Sequence, residues 1–399
     1  MRLVPRMLAI SPSATLAITA QAARMRREGR DVIALSAGQP DFPTPEPIAE
    51  AARRAIASGK TGYTPAAGIP ELREAVARKY SGRHGIPWES GDTIICCGAK
   101  HAIASLVMAA TGEGEAVLLP SPFWVSYPEM IRMAGGVPMV PEGDGLSLTA
   151  ADLEPGLARG ARGVILNSPN NPTGLVIPAP EMERIADLLR AHPEVWVISD
   201  DIYEDLCYIE SGPPHLLQIA PDLADRVAVV SGVSKTYSMT GWRIGWAISS
   251  NREWIGCASR IQSHTTSNPC SISQWASLAA VEGAAERERL AMLEAFRKRR
   301  DLVCGLLDSR LSGHLEVGTR PEGAFYVFAR VASQTPDGSP VDSTALCGEL
   351  LDSQAVALIP GAAFGREGFL RVSFAASEKD ITIAVERTAT FFMGGVPLR

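Results

Sequence analysis

Val227-Ala-Val-Val-Ser-Gly-Val-Ser-Lys235-Thr-Tyr-Ser-Met-Thr-Gly-Trp-Arg243-Ile-Gly-Trp-Ala-Ile248 opens on an apolar run, turns through glycines and small hydroxyl residues, and closes on a second apolar run. Both runs are short and show little polar alternation, as expected of strands covered on both faces. Working outward, Thr93 to Cys97, Ala116 to Leu119, Val137 to Val140, Gly163 to Leu166 and Val195 to Ser199 read the same way. With Val227 to Val230 and Ile244 to Ile248 they make about seven candidate strands, alternating with helical stretches in the rhythm of βαβ units. Upstream, Ser11-Pro12 reads as a helix cap followed by proline, with Leu16, Ala20 and Ala23 on the helix and Gly29 stopping it. Thr44-Pro45 repeats that signature before Ile48 to Ser58, and Ile69 to Tyr80 reads as a third helix. Downstream, the charged Glu286 to Leu311 reads as a long helix on which Arg297, Arg299 and Arg300 form a solvated face. Ala324 to Ala329, Val356 to Ile359 and Leu370 to Phe374, with a helix from Ile381 to Phe392, form a smaller α+β unit, and polar Ser333 to Ser339 reads as a surface loop.

The chain has 399 residues and is 46% hydrophobic, enough for a substantial core and two domains. Its net charge of -6 offers no footprint for polyanions, which speaks against a nucleic-acid binder. No run approaches the ~18 to 20 apolar residues of a membrane span, and Met1 to Ser11 is too short and interrupted for a signal peptide, so the cytoplasm is the expected location. Seven cysteines without a CxxC pair argue for reduced thiols. Six scattered histidines show neither HExxH spacing nor a neighbouring cysteine pair, and no metal is expected.

Lys235 lies between a strand end and glycine-rich turns, at the sheet edge where open α/β sheets bind ligands. A lysine there forms a Schiff base if it is partly desolvated beside a carbonyl; taken alone it reads as a solvated surface lysine. Four other segments shift that balance. Asn171 sits in the proline-rich turn Asn167-Ser-Pro-Asn-Asn171-Pro-Thr-Gly, whose plainer reading is turn chemistry. Asp200 and Tyr203 follow the Val195 to Ile198 run, and a buried Asp200 needs a cationic partner. Gly98-Ala-Lys100-His101 joins a strand to a helix and leaves backbone N–H groups suited to a phosphate. Arg371, inward or at a sheet edge, has the planar fork that grips a carboxylate; an edge salt bridge is the alternative.

These residues in this order resemble the fold-type I pyridoxal-phosphate enzymes, and within them the class I aminotransferases of the aspartate aminotransferase type. The resemblance runs from Pro12-Ser-Ala-Thr15 through Ala37-Gly-Gln-Pro-Asp-Phe42, Tyr63-Thr-Pro, Gly68-Ile-Pro-Glu-Leu-Arg73, Pro122-Phe-Trp-Val-Ser-Tyr-Pro128, Asn170-Asn-Pro-Thr-Gly174 and Ser234-Lys235 to Met239-Thr-Gly-Trp-Arg243 and Arg371. It implies a large domain, residues 46–290, with a seven-stranded, mostly parallel sheet sandwiched by helices, and a small α+β domain built from residues 1–45 and 291–399. It implies pyridoxal 5'-phosphate in a covalent Schiff base with Lys235, which also moves the substrate proton. By the same resemblance Asp200 pairs with the pyridine nitrogen, Tyr203 and Asn171 meet the 3-oxygen, and Trp124 stacks on the ring. Arg243, eight positions after Lys235 (243 − 235 = 8), binds the phosphate together with the backbone at Ala99 and Lys100 and the Ser234 hydroxyl. Tyr63 reaches the phosphate of the neighbouring subunit's site, which makes the enzyme a homodimer. Arg371, assisted by the backbone at Gly38, takes the substrate α-carboxylate.

The implied reaction is ping-pong transfer of an amino group from an L-amino acid to a 2-oxo acid. Lys100 resembles the residue that meets a distal carboxylate in bacterial relatives, which points to aspartate and 2-oxoglutarate. Ser11, Gln39, Ala99 and His101 depart from that branch, which commonly has a basic residue, glutamate, glycine and glutamine at these places. An aromatic or other 2-amino-acid donor is the competing reading, and a lyase on the same scaffold would use the same Lys235, Asp200 and Arg371. A DNA-binding regulator would need an extension for which a resemblance starting near residue 12 leaves no room.

Overall fold

The computed structural model describes residues 3–141, 143, 145–332 and 339–394; most of the predicted Ser333 to Ser339 loop lies outside them. All seven predicted strands join one sheet, in the order Thr93–Cys96, Gly245–Ile248, Val227–Gly232, Trp196–Asp200, Gly163–Asn167, Ala116–Leu118 and Val137–Met139. Gly245–Ile248 runs antiparallel to both neighbours, and the remaining pairings are parallel. Side chains alternate between two apolar covers, as the period of two requires. Val164, Leu166, Val197 and Val229 pack with Leu72, Val76 and Leu189 on one face. Ile165, Ile198, Ala228 and Val230 pack with Ile103, Leu106 and Ile131 on the other. Each such valine, leucine or isoleucine contributes roughly 1.5 to 3 kcal/mol by leaving water. Among the described residues, no helix is long and apolar enough to cross a membrane.

A second core holds the four-stranded sheet Ile359–Pro360, Phe369–Ser373, Tyr326–Val331 and Leu315–Glu316, packed against the helices Glu286–Arg310 and Glu378–Met393. The predicted Val356 to Ile359 strand divides in two: Val356–Ala357 pairs with Ile33–Ala34 from the start of the chain, and Ile359–Pro360 pairs with Phe369–Ser373.

Three expectations need correction. Thr44 does not cap the helix Glu46–Ala57, whose N-cap is Pro45; its hydroxyl donates to the Ser238 carbonyl at 2.9 Å instead. The first long helix, Ala14–Arg27, is capped by Ser13 rather than Ser11, so Pro12 lies outside it and Leu16 is exposed while Ala22 and Met25 are buried. The arginine face of Glu286–Arg310 is not simply solvated. Arg299 grips both oxygens of Asp41 at 2.7 and 3.0 Å and lies over the Phe42 ring, and Arg300 lies over Tyr208. That pair ties the segment approaching Gly38 to the long helix.

Candidate functional site

Strands Thr93–Cys96, Gly163–Asn167, Trp196–Asp200 and Val227–Gly232 all end at one edge of the sheet, and the antiparallel Gly245–Ile248 begins there. Gly98, Asn171, Asp200, Lys235 and Arg243 are thereby delivered to one place from distant parts of the chain. All of these but Gly98 border a cavity of about 450 Å³, whose lining includes every predicted site residue except Tyr63. Tyr63 is 93% exposed and does not line its own chain's cavity.

Lys235 sits in the short helix Val233–Thr236 and donates from Nζ to the Gly38 carbonyl at 2.5 Å. Burial, followed by the positive charges of Arg243 and Arg371, pushes its amine down to about 7. Asp200 is 3% exposed, and burial pushes its carboxyl up to about 7. Its oxygens accept from Tyr127 Oη at 2.5 Å and from the Ile202 N–H at 3.2 Å. The cationic partner expected for Asp200 is not within ion-pair reach among the described residues; Lys235 acts on it only at longer range.

Arg371 shows the converse. It is not at an edge: its strand lies between Ile359–Pro360 and Tyr326–Val331, and the side chain is 1% exposed. Its guanidinium donates to Asn171 Oδ1 at 3.0 Å and to the Ser36 carbonyl at 2.8 Å, and its Nε has no partner. The rings of Tyr326 and Phe364 lie 4.4 and 5.1 Å from its central carbon. Among the described residues no carboxylate pairs with it. A buried cation surrounded only by neutral acceptors and ring faces costs several kcal/mol until an anion arrives.

Gly98, at φ +88°, caps the helix Ala99–Ala110, whose first residues Ala99 and Lys100 line the cavity, where a helix N-terminus offers backbone N–H groups. Arg243 donates to the carbonyls of Thr240 and Cys97 at 2.9 and 3.3 Å, and a Cβ on Gly98 would stand 2.5 Å from its Nη2. Gly232 packs on Gly245: a Cβ there would lie 2.8 Å from the Gly245 Cα. The nearby Ser234 is buried at the cavity. Lys100 Nζ lies 4.8 Å from the centre of the Trp124 ring, and burial holds its amine below the usual lysine range.

Behind Asp200, the turn carrying Tyr203 is fastened to the helix Pro70–His84. Glu204 accepts from Tyr80 at 2.6 Å and Ser231 at 2.9 Å and pairs with Arg83; Asp205 pairs with Lys79 and Arg83 at 2.8 Å. Asp201 meets Ser199 at 2.7 Å and His215 at 3.0 Å. Asp201, Glu204 and His215 lie close enough to hold a metal ion, but both Asp201 oxygens, Glu204 Oε1 and His215 Nδ1 already have protein partners. Sequence reasoning gave no role to Tyr127 or Tyr326. Tyr127 stood in the quoted Pro122 to Pro128 motif, whereas Tyr326 looked like one more apolar strand residue.

Residues 30–387 match the family model described as aminotransferase class I and II. The chain is 39% identical over 396 residues to the aspartate aminotransferase of Geobacillus stearothermophilus, covering 98% of this chain and 99% of that one. It is 40% identical over 394 residues to the aspartate/prephenate aminotransferase of Cereibacter sphaeroides, covering 96% and 97%. Among solved structures, the Thermus thermophilus aspartate aminotransferase with maleate superposes with a TM-score of 0.90 at 39% identity, covering 98% of this chain and 99% of that one.

Proposed function

This chain belongs to the class I and II aminotransferases, and from that premise we propose that it transfers the amino group of L-aspartate to 2-oxoglutarate, using pyridoxal 5'-phosphate bound through Lys235. The observation that carries the reading is a pair of opposite deficits in one cavity lining, which Lys235 shares: among the described residues, a buried Asp200 without a cation and a buried Arg371 without an anion.

The donor set suits the cofactor. Asp200 offers a carboxylate to a pyridinium, and the first turn of Ala99–Ala110 with Arg243 and Ser234 offers donors and charge to a phosphate. Trp124 supplies a ring face, and Tyr203 and Asn171 supply hydrogen bonds to the 3-oxygen. Pyridoxal phosphate, when bound, supplies a carbon that condenses with amines and a ring that accepts the electron pair left at Cα when its proton departs. The chain's own residues do the rest. Lys235, with its amine held near 7, exists in part as a neutral base at working pH and stands where it can take and return a Cα proton without diffusion. Asp200 keeps its charge opposite a positive partner and thereby favours electron withdrawal. Arg371 orients the α-carboxylate through its fork, and Asn171, bonded to that same guanidinium, sets its angle. Tyr63, exposed and outside its own chain's cavity lining, is assigned to the neighbouring site of a homodimer.

Lys100 at the cavity wall is assigned the distal carboxylate of aspartate. Replacing Lys100 by alanine is expected to lower kcat/KM for L-aspartate about tenfold or more, the worth of a charge-assisted hydrogen bond, and to leave L-alanine within about twofold. Steady-state assays with the two donors check this; equal losses would remove Lys100 from side-chain recognition. An aromatic donor is the second reading, favoured by Leu16, Val125 and Trp124 in the same lining. In the Lys100→Ala enzyme it predicts undiminished turnover of L-phenylalanine.

A further inference from the structure

Tyr326 opens the strand Tyr326–Val331, is 1% exposed, and touches both halves of the site. Its ring lies under the Arg371 guanidinium at 4.4 Å, while its hydroxyl is 2.8 Å from the Tyr203 hydroxyl. A Cβ on Gly38 would lie 3.3 Å from that same oxygen, so the backbone next to Lys235 also rests on it. Each phenol has one proton to give. If Tyr203 donates to Tyr326, it has none left for the cavity; if Tyr326 donates, the Tyr203 proton is free to point inward. The positive charge over the Tyr326 ring decides between them. A guanidinium facing the ring draws electron density from the phenol and makes it the better donor of the two.

We propose that Tyr326 is a positioning residue: held by Arg371, it donates its hydrogen bond to Tyr203 and so directs the Tyr203 proton to the 3-oxygen of the cofactor. The inference rests on the reading of Tyr203 and pyridoxal phosphate given above. A donor received by Tyr203 also strengthens the bond Tyr203 gives, because hydrogen bonds in series polarise one another. The charged and titratable groups around the pair are Arg371 on the adjacent strand and Asp200, Tyr127, Lys235, Lys100 and Arg243 in the same lining. None of them takes the hydrogen bond between the two phenols.

The test is a pH titration of the visible absorption band of the pyridoxal phosphate-loaded enzyme in wild type, Tyr326→Phe, Tyr203→Phe and the double variant. The phenyl rings preserve the packing and the contact with Arg371. Stabilising the 3-oxygen anion lowers the midpoint, so Tyr326→Phe is expected to raise it by about half a unit and Tyr203→Phe by more. The double variant should match Tyr203→Phe, since Tyr326 acts only through Tyr203. KM for aspartate should change less than about twofold in Tyr326→Phe, since Arg371 keeps its ring contact. An unchanged midpoint, or equal shifts from Tyr326→Phe with and without Tyr203, overturns the assignment while leaving the cofactor reading intact. Absence of any band in the wild-type enzyme overturns both.

Discussion

With Lys235 replaced by alanine, amino transfer falls by about 10⁴-fold or more, while pyridoxal phosphate still binds without the absorption of a lysine adduct. The size follows from two losses at one atom: the amine that anchors the cofactor and the base already positioned for proton transfer. A surface lysine would give neither. The same substitution has a consequence for the cofactor-free fold. The Lys235 amine sits near 7 in the folded protein, against ~10.4 in an unfolded chain. Between those values the unfolded chain holds a proton that the folded chain has lost, so stability rises with pH across that window. The burial penalty is therefore fully present below about pH 7 and is relieved toward pH 10, on the order of a few kcal/mol. Lys235→Ala removes it. Thermal melts from pH 6 to 10 should show the variant more stable than wild type at pH 7 and the gap closing with rising pH. A constant gap would mean that Lys235 is not buried as a strained cation.

Arg371→Met should lower kcat/KM for every amino-acid donor by about 10²-fold or more, because truncating one side of a buried, hydrogen-bonded charge pair costs roughly 2 to 5 kcal/mol. Aspartate, alanine and phenylalanine should suffer alike, since all three share the α-carboxylate. The free enzyme should move the other way. Arg371 is buried without an anion, and methionine fills similar space with no charge, so the melting temperature of the unliganded protein should rise. Loss of substrate affinity together with gained stability distinguishes a residue kept for binding from one kept for structure. A drop in both would assign Arg371 to the fold.

The strands were legible because each is a short apolar run bounded by glycine, proline or a polar turn, and a strand covered on two faces leaves no other pattern. The direction of Gly245–Ile248 was not, since it depends on the 3-10 turn Thr240–Trp242 returning the chain without a crossover helix. The cap at Ser13 was missed because Ser11 and Ser13 flank Pro12 and local chemistry favours either. Arg299 was misread because nothing near it in sequence announces Asp41, 258 positions away. Lys235, Asp200 and Arg371 could be singled out since each is a charged or reactive residue at the end or in the middle of an apolar run. Tyr127 and Tyr326 could not, because a phenol within an apolar stretch has the same pattern whether it packs or positions a proton.

The most direct test is the absorption spectrum of the enzyme loaded with pyridoxal phosphate, recorded before and after separate additions of L-aspartate, L-glutamate and L-phenylalanine. The account predicts a visible band that L-aspartate bleaches with release of one equivalent of its oxo acid, and that 2-oxoglutarate restores. No band with the cofactor present, or a band that survives all three donors, would contradict it.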